Sequence, residues 1–540
     1  MTRIGAGIRA SISLLSLSAG ALAALLAAPA VAQPQPAAGP PPVAKDAKEA
    51  PDPARTAASP VSTEVALPQK GPDPLAAALT AQPGGLTPDD VARRAMQTRR
   101  SIRAKQADLR AAQARVDQAL VNYFPRVTAT ASYTRLSEVP NAGLGSGAIV
   151  GAQNEGLLGT GPCIQNPAAT CVVDSKGGPV GAFQFSFPTV NNSFSLVAQL
   201  AVPISDYVLR ISQGYAAASH AASAKELELQ AETLQVGSDA KIAYFNWARA
   251  KGQAAVAAQS VDQAKAHVED AKIAQAAGIA SRADVLRIEA QVAGAEQVLA
   301  EVQAFESIAS EQLRIVIQAQ PNEQLSLGID ILGSDPGNGV TEALDGLQRQ
   351  ALQRRLEIRA LDETQHSLKN AVSIARAGYY PRLDAFAQYT YANPNQRIFP
   401  TAAEWNGTWE AGLRMTWTIN DTFSSMGSVA EAKARAEMIA EQKAALMEGL
   451  RMEVASALAD LQKARASIEA AERGLAAAEE SLRVRQLLFK TGRATSLDLV
   501  DAETEATRAR LRRVDAHVGL LVAQTRLAHA TGRDVPQAQK

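Results

Sequence analysis

Three carboxylates near the C-terminus have the types and spacing that suit an ion-binding surface. Asp498, Asp501 and Glu505 follow one another at steps of three and four residues, so a helix carries them on one face. If several copies of the chain surround an axis, this face forms an acidic ring that attracts cations. A solvent-exposed charged stripe is the alternative interpretation of the same spacing.

The acidic face begins at a turn whose pattern occurs twice. Residues 278–284 read Gly-Ile-Ala-Ser-Arg-Ala-Asp, and residues 492–498 read Gly-Arg-Ala-Thr-Ser-Leu-Asp. In each, glycine suits the end of one helix, and Ser or Thr with an acid three residues later forms a capping box on the next. Asp284 and Asp498 are therefore expected to cap helices, and this structural role competes with any functional one.

Few other side chains are placed for catalysis or metal binding. The five histidines have no paired spacing and only two cysteines occur, so the sequence predicts neither a metal site nor a cofactor. The sequence contains no nucleophile elbow, phosphate-binding loop or convergent acid–base set, which argues against an enzyme. Basic and acidic residues number 54 each, and this balance provides no basic field for nucleic acid.

The N-terminal segment indicates export. Two arginines precede an apolar run at residues 12–28, and small residues at 30–32 form a cleavage site, so residues 1–32 are predicted to be a signal peptide. A membrane anchor is the alternative. Residues 33–85 are rich in Pro and Ala and are predicted to be a disordered linker. The rest of the chain contains no apolar stretch of about 20 residues, the length that a transmembrane helix needs.

Cys163 and Cys171 lie eight residues apart in a glycine-rich segment. Because an exported chain reaches an oxidising compartment, we expect a disulfide between them. Two free thiols are the alternative.

Shared motifs in the two halves of the chain indicate an internal repeat. Ser-Ile-Arg-Ala at 101–104 recurs as Glu-Ile-Arg-Ala at 357–360, and Phe-Pro-Arg at 124–126 recurs as Tyr-Pro-Arg at 380–382. The predicted segments are a first repeat at 86–333, with a strand hairpin at 126–204 and its long loop at 137–190; a second repeat at 334–535, with a strand hairpin at 382–419; and a tail at 536–540.

Four segments alternate apolar and other side chains over about 10 residues, the pattern of strands that cross an outer membrane. The apolar positions are Val127, Ala129, Ala131 and Tyr133; Phe194, Leu196, Ala198, Leu200 and Val202; Leu383, Ala385, Ala387, Tyr389 and Tyr391; and Trp409, Ala411, Leu413, Met415 and Trp417. An open sheet edge is excluded from lipid by its unpaired backbone groups, so membrane strands require several copies of the chain to assemble. A soluble sheet is the alternative.

Long helices are expected after the strands of each copy. Between Leu450 and Leu482, apolar residues recur at steps of three and four, and from Val454 onward large residues and alanines occupy different heptad positions. This pattern allows helices to pack closely. Helices over residues 215–277 and 430–490 contain no proline and would each extend about 90 Å.

In this order, the motifs resemble the TolC family of outer-membrane efflux channels over about residues 86–535. The matches beyond the two turns are Tyr123-Phe124-Pro125 and Tyr379-Tyr380-Pro381 before strands, Ile204-Ser205-Asp206 after a strand, and the run from Thr495 to Ala502. The resemblance implies a mainly α fold with membrane β: four transmembrane strands per protomer complete a 12-strand trimeric β-barrel, continuous with a long α-helical coiled-coil periplasmic barrel. It also implies a partly folded equatorial belt at about 320–355.

The same resemblance implies an exit duct in the outer membrane of a diderm bacterium, within a tripartite efflux or type I secretion system. A homotrimer in outer-membrane lipid would passively conduct substrates that an inner-membrane pump of the RND, ABC or MFS type delivers through a periplasmic adaptor (membrane fusion protein). A periplasmic coiled-coil adaptor or structural protein is the alternative. An adaptor is expected to have one hairpin nested in a β-rich domain, whereas this chain has two hairpins.

Site roles also come from the resemblance. Asp498 and Asp501 correspond to the pore constriction that selects cations, and Asp284 is the matching acid of the latch that holds the gate shut. The sequence departs from the family pattern at the basic partner, because Ala494 stands where a base is expected; a latch between Asp284 and Arg493 is the hypothesis. The adaptor-docking tip corresponds to residues of the two turns, namely Gly278, Ile279, Ala280, Ser281 and Gly492.

Overall fold

The structure is a computed structural model that describes residues 74–137, 149–151, 155–183, 190–320, 322–333, 342–399 and 401–535. The predicted signal peptide, residues 33–73 of the predicted linker and the predicted tail lie outside the described residues. The described part is mainly helical, as the sequence predicts. Within the described ranges, every helix is too short or too polar to span a lipid bilayer.

The elements alternate between helices and strands in both halves of the chain. The first half contains α1 (Pro74–Leu79), α2 (Pro88–Thr98), α3 (Arg100–Val121), β1 (Arg126–Arg135), β2 (Ile149–Gly151), β3 (Gly159–Pro162), β4 (Thr170–Val173), β5 (Gly181–Phe183), β6 (Asn192–Val202), α4 (Ile204–Asp206), α5 (Ser212–Ala276) and α6 (Arg282–Ile317). The second half contains α7 (Leu344–Arg354), α8 (Leu356–Arg376), β7 (Arg382–Asn393), β8 (Asn406–Thr416), α9 (Ile419–Lys490) and α10 (Ser496–Ala530). A π-helical turn at Tyr207–Ile211 joins α4 to α5, and a 3₁₀ turn at Ala377–Tyr379 follows α8.

The end of the predicted linker is helical rather than disordered. Leu75 and Leu79 of α1 are 1% and 0% exposed, and α1 packs against α5. A Cβ atom at Gly252 of α5 would lie 3.0 Å from Leu79 Cδ1, so the glycine leaves room for this leucine. The prediction of disorder up to residue 85 is wrong here because leucines at i and i+4 share one helix face and bury apolar surface that Pro and Ala do not supply.

Strands β1, β6, β7 and β8 form one antiparallel sheet in that order. The register aligns their apolar sides: Ala129 lies opposite Ala198, Ala198 opposite Tyr389, and Tyr389 opposite Trp409. The adjacent row on the other face is polar and consists of Thr128, Gln199, Gln388 and Glu410. The sheet therefore has one apolar and one polar face, and β1 and β8 are its edge strands.

The segment predicted as a long loop, residues 137–190, contains two short antiparallel ribbons in its described part. β2 pairs with β5, and β3 pairs with β4. A disulfide joins Cys163, just after β3, to Cys171 in β4. The sequence does not reveal these strands because they are only three or four residues long, and glycine in β2, β3 and β5 leaves no alternating pattern.

Two helices are much longer than those of ordinary globular domains. α5 has 65 residues and α9 has 72, which corresponds to about 98 Å and about 108 Å at 1.5 Å per residue. The predicted heptad seam of α9 is buried and includes Leu450, Val454, Ala457, Leu461, Ile468, Leu475, Ala478 and Leu482. Part of this seam packs with α10 and α7 in one apolar cluster.

A second apolar cluster lies where α5 meets α1, α2, α6 and the segment 322–333. Tyr244, Phe245 and Trp247 of α5 are buried there, and Leu327 and Ile331 of the segment are 0% exposed. Burial raises the pKa of Tyr244 to about 12. The described part of the predicted belt is thus anchored by apolar side chains.

Replacing a seam leucine should destabilise the helical part. Leu461→Ala removes a side chain that is 1% exposed, so we expect the free energy of unfolding to fall by about 2–5 kcal/mol. Met452→Ala is the matched control, because Met452 lies on the same helix and is 70% exposed. Urea unfolding followed by circular dichroism measures both changes, and equal effects of the two substitutions would contradict the buried seam.

Candidate functional site at the tips of the helical hairpins

The turn between α5 and α6 is closed by backbone hydrogen bonds. The N–H group of Gly278 donates to the carbonyl of Gln275 at 3.0 Å, and that of Ile279 donates to Ala274 at 2.9 Å. This pair of bonds is a Schellman motif, which requires a left-handed residue after the helix. Gly278 has φ +74°, a conformation that costs glycine little.

The turn between α9 and α10 has the same construction. Gly492 has φ +71° and donates to the carbonyl of Phe489 at 3.0 Å, while Arg493 donates to Leu488 at 2.8 Å. The two turns lie against each other, since a Cβ atom at Gly492 would be 3.0 Å from Ile279 Cγ2. Glycine at 492 thus serves both the turn and the close approach of the hairpins.

Both capping boxes predicted from the sequence are present. The hydroxyl and the backbone N–H of Ser281 donate to Asp284 Oδ2 at 2.7 and 3.0 Å, and the Asp284 N–H donates back to Ser281 Oγ at 3.2 Å. Thr495 and Asp498 repeat this geometry at the start of α10. These bonds satisfy backbone donors that have no partner within the first turn of a helix.

A serine next to a capping residue links the two hairpins. Ser496 is 1% exposed, and its Oγ donates to Asp284 Oδ1 at 2.5 Å. The same oxygen accepts a hydrogen bond from Arg287 Nη1 at 3.2 Å. Bonds from Ser496 and then from Ser281 hold the pKa of Asp284 below 3.8. The pKa of Asp284 is thus lower in the folded protein than in the unfolded chain, so the ionised carboxylate stabilises the fold fully at pH values above 3.8. This stabilisation is lost as the pH falls through the folded pKa.

The predicted latch between Asp284 and Arg493 is not formed in the structure. Asp284 uses both carboxylate oxygens for Ser281 and Ser496. Among the described residues, the Arg493 side chain has no carboxylate within 4 Å. The prediction is wrong because the second hydroxyl of the Thr495-Ser496 pair lies closer to Asp284 than the arginine does. A hydroxyl next to a capping residue is the signal that would have indicated this contact.

The three acids of the predicted cation-binding face have different surroundings. Asp498 accepts bonds from Thr495 and from Arg485 Nη1 at 2.7 Å, and Thr495 first, then Arg485, lowers its pKa. Glu505 pairs with Arg512 at 2.9 Å. Asp501 is exposed, and within the described ranges no basic side chain lies within 4 Å of it. Asp501 is therefore the acid with the least neutralised charge.

Below the tips, the two hairpins share a core with one buried polar pair. His267 Nε2 of α5 lies 3.1 Å from Glu503 Oε2 of α10, and Glu503 is 1% exposed. Lys490 and Asp270 form a further ion pair between the hairpins at 3.1 Å. The surrounding apolar cluster draws on all four helices and includes Val268, Ala271, Val285, Ile288, Leu475, Leu482, Phe489 and Leu499.

Caps and links between the hairpins account for most of the polar contacts at the tips. Ser281, Asp284, Thr495 and Asp498 are engaged in caps and Ser496 links the hairpins, whereas Arg493 and Asp501 have no oppositely charged side chain within 4 Å in the described part of the chain. In the described part of the chain, no group of three or more His, Cys, Asp or Glu side chains lies together in a way that would hold a metal ion.

Comparisons with known proteins agree with the fold. The family model described as outer membrane efflux protein matches residues 91–317 and 347–533, which is more than half of the chain. No curated protein matches the chain.

Three solved structures illustrate the likeness. The outer-membrane channel OprN is 19% identical with a TM-score of 0.63, and the match covers 85% of this chain and 95% of that one. VceC from Vibrio cholerae is 18% identical with a TM-score of 0.63, covering 82% and 96%. The open state of MtrE from Neisseria gonorrhoeae is 18% identical with a TM-score of 0.64, covering 84% and 90%. At these identities the likeness shows the fold.

Removing the Ser496 hydroxyl should loosen both turns. Ser496→Ala deletes two bonds to charged groups, each worth about 1.5–3 kcal/mol, so we expect amide hydrogen exchange at both tips to become about tenfold faster or more. Hydrogen-exchange mass spectrometry of peptides that contain residues 278–284 and 492–498 measures this.

The matched control for this experiment is Thr491→Ala. The Thr491 hydroxyl donates only to carbonyls of its own helix, at Leu487 and Leu488, so its loss should leave the other hairpin unchanged. Exchange in Ser496→Ala that equals the wild type would rule out a link through this serine.

Proposed function

The chain belongs to the outer membrane efflux protein family, and from this premise we propose how it works as an exit duct of the outer membrane. Three copies assemble into one channel whose strands cross the membrane and whose helices extend into the periplasm. The channel passively conducts substrates that an inner-membrane pump delivers through a periplasmic adaptor, and it is gated at the helical tips. Tripartite efflux and type I secretion are the two systems that use such a duct.

The main support for this proposal comes from the edges of the sheet. β1 and β8 are edge strands, and the apolar face between them is exposed: Val127 is 74%, Trp409 75% and Leu413 69% exposed. Unpaired edges are not tolerated in lipid, so β8 of one copy must pair with β1 of the next. Such head-to-tail contacts generate a closed ring. With four strands from each copy, three copies give the proposed 12-strand barrel.

The helices support the same assembly. They contact one another in the order α6, α5, α10 and α9, so that α6 and α9 are the outer members. Apolar side chains of α6 remain exposed, with Phe305 at 53%, Ile308 at 64% and Ile315 at 60%. Packing of α6 against α9 of a neighbouring copy would remove these side chains from water.

The tips are the proposed site of adaptor docking and gating. Gly278, Ile279, Ala280 and Ser281 form one turn and Gly492 lies in the other, so the adaptor would contact both hairpins of one copy. Because Ser496 links these hairpins, we propose that the resting tip is a single unit and that opening either breaks this link or moves both hairpins together. Asp498 and Asp501 of three copies then line the constriction.

The alternative, a periplasmic adaptor or structural protein, has less support. An adaptor presents one helical hairpin, whereas this chain has two, α5–α6 and α9–α10, together with an apolar sheet face.

Size and conductance test the proposed assembly. Protein extracted from outer membranes with detergent should have the mass of three protomers by light scattering, and it should form pores in planar bilayers. Both results follow from the need to pair the sheet edges in lipid. A chain that stays monodisperse as one subunit in water without detergent would contradict the proposal.

Cation block tests the acidic constriction. Asp501→Asn removes the exposed, unpaired carboxylate and should weaken block of the pore by multivalent cations roughly three- to tenfold. Arg485→Gln should strengthen that block, because it frees the Asp498 carboxylate from its 2.7 Å ion pair.

Arg483→Gln is the matched control for this measurement, since Arg483 lies two residues away and pairs with Glu480 of its own helix. Reversal potential and block are read from the same bilayers. The same direction of change in Asp501→Asn and Arg485→Gln would contradict the proposed ring.

A further inference from the structure

Four arginines surround a cavity of about 350 Å³ where the sheet meets the helices. Its lining includes Arg126, Arg210, Tyr215, Arg382, Phe386 and Arg414, and we call it the junction cavity. Three of the arginines lie at the strand ends nearest the helices, in β1, β7 and β8, and the fourth lies in the π-helical turn. No contact at the hairpin tips involves these residues.

Two of the arginines form ion pairs with the two carboxylates of the cavity. Asp206, which is 9% exposed, lies 3.1 Å from Arg382 Nη2 and 3.7 Å from Arg210 Nε. Asp384 Oδ1 is 3.9 Å from the same Arg382 nitrogen. These contacts fix Arg210 and Arg382 in place, and they account for both negative charges.

The other two arginines are not compensated. In the described part of the chain, neither Arg126 nor Arg414 has a carboxylate within 4 Å. Arg414 lies opposite Asp384 in the strand register, but its guanidinium carbon lies over the Phe386 ring, 4.8 Å from the ring centre. This cation–π contact orients Arg414 and leaves its N–H donors available. Four arginines and two aspartates give the cavity a net charge of two positive units.

We propose that the junction cavity binds the anionic group of amphiphilic organic anions, namely a carboxylate, phosphate or sulfate. The planar guanidinium groups of Arg126 and Arg414 provide paired N–H donors, a geometry that matches two oxygens of such an anion. Phe386 and Tyr215 offer aromatic surface for the apolar part of the same molecule. Surface arginines are commonly solvated, but two uncompensated guanidinium groups that share one concave cavity make an anion site.

The position of the cavity connects this site to transport. Arg126, Arg382 and Arg414 lie on the polar face of the sheet, because each is an even number of residues away from a polar-face residue of its own strand. If the proposed function is correct, this face lines the conduit, and three copies place three such sites around it. The duct would then present acidic groups at the tips and basic groups at the junction, so anionic cargo would be held at the junction.

Binding of pyrophosphate tests the proposal without requiring a pore. Isothermal titration of pyrophosphate into the detergent-solubilised full chain should show saturable, salt-sensitive binding. Arg126→Gln/Arg414→Gln should bind at least about tenfold more weakly, because it removes charge-assisted hydrogen bonds to the anion. Binding that is absent in the wild type, or that is equal in this double variant, would overturn the proposal.

The matched control is Arg93→Gln/Arg435→Gln. It removes two arginines that are exposed and paired with Asp90 and Glu431 of their own helices, so its affinity should equal that of the wild type. If the control variant also loses binding, pyrophosphate is attracted by the overall positive charge of the surface, and the proposed site is contradicted. If the double variant does not assemble, each single substitution of Arg126 or Arg414 decides the question, since either should weaken binding and wild-type affinity in both contradicts it.

Bilayer conductance of the same preparations separates the two proposals. If the protein forms pores but does not bind pyrophosphate, the proposed junction site is contradicted and the proposed duct is still supported. Pyrophosphate binding without pores would support the junction site and contradict the duct.

Discussion

A backbone N–H or C=O group that enters hydrocarbon without a partner costs several kcal/mol, and this cost constrains the whole chain. β1 and β8 end the sheet, so the outer edge of each carries a row of such groups. The apolar face between them is exposed, which is unfavourable for a lone copy in water. In the proposed assembly, pairing between copies satisfies the backbone groups of the edges, and lipid covers the apolar face.

The helices are placed by the same sheet. β6 leads into α5 through the short α4 and the π-helical turn, and β8 leads into α9 within three residues. The ion pairs of Asp206 with Arg210 and Arg382 fix the first junction. At the far end, Ser496 and the ion pair of Lys490 with Asp270 tie the hairpins to each other. Between these points, apolar clusters extend along the helices, together with ion pairs such as Arg355 with Glu453 and Arg513 with Glu472.

Features with a local period are predictable from the sequence. The alternating residues near Ala129 and Trp409 lie on one sheet face, and the seam from Leu450 to Leu482 is buried, because strand and helix periods impose those faces directly. The capping boxes follow for the same reason, since all their atoms lie within four residues. The helix α1 was missed because two leucines give too short a pattern within a Pro- and Ala-rich segment.

Contacts between distant segments were harder to predict. Ser496 and Asp284 are 212 residues apart, and no short motif joins them. The two turns that contain Asp284 and Arg493 do lie close together, but the partner of Asp284 across them is Ser496 and not Arg493. A hydroxyl next to a capping residue marks a possible donor in the sequence, but which acid it reaches depends on side-chain direction at the helix start. The cluster of arginines in the junction cavity depends likewise on strand register across both halves of the chain.

The length of α9 makes it a lever. It begins at Ile419 beside the sheet and ends at Lys490 beside the tip, with no proline to act as a hinge. For a rod of about 108 Å, a tilt of one degree at the sheet end displaces the tip by roughly 2 Å. In the proposed duct, an aperture at the tips would therefore widen by the diameter of an ion while the packing beside the membrane changes hardly at all.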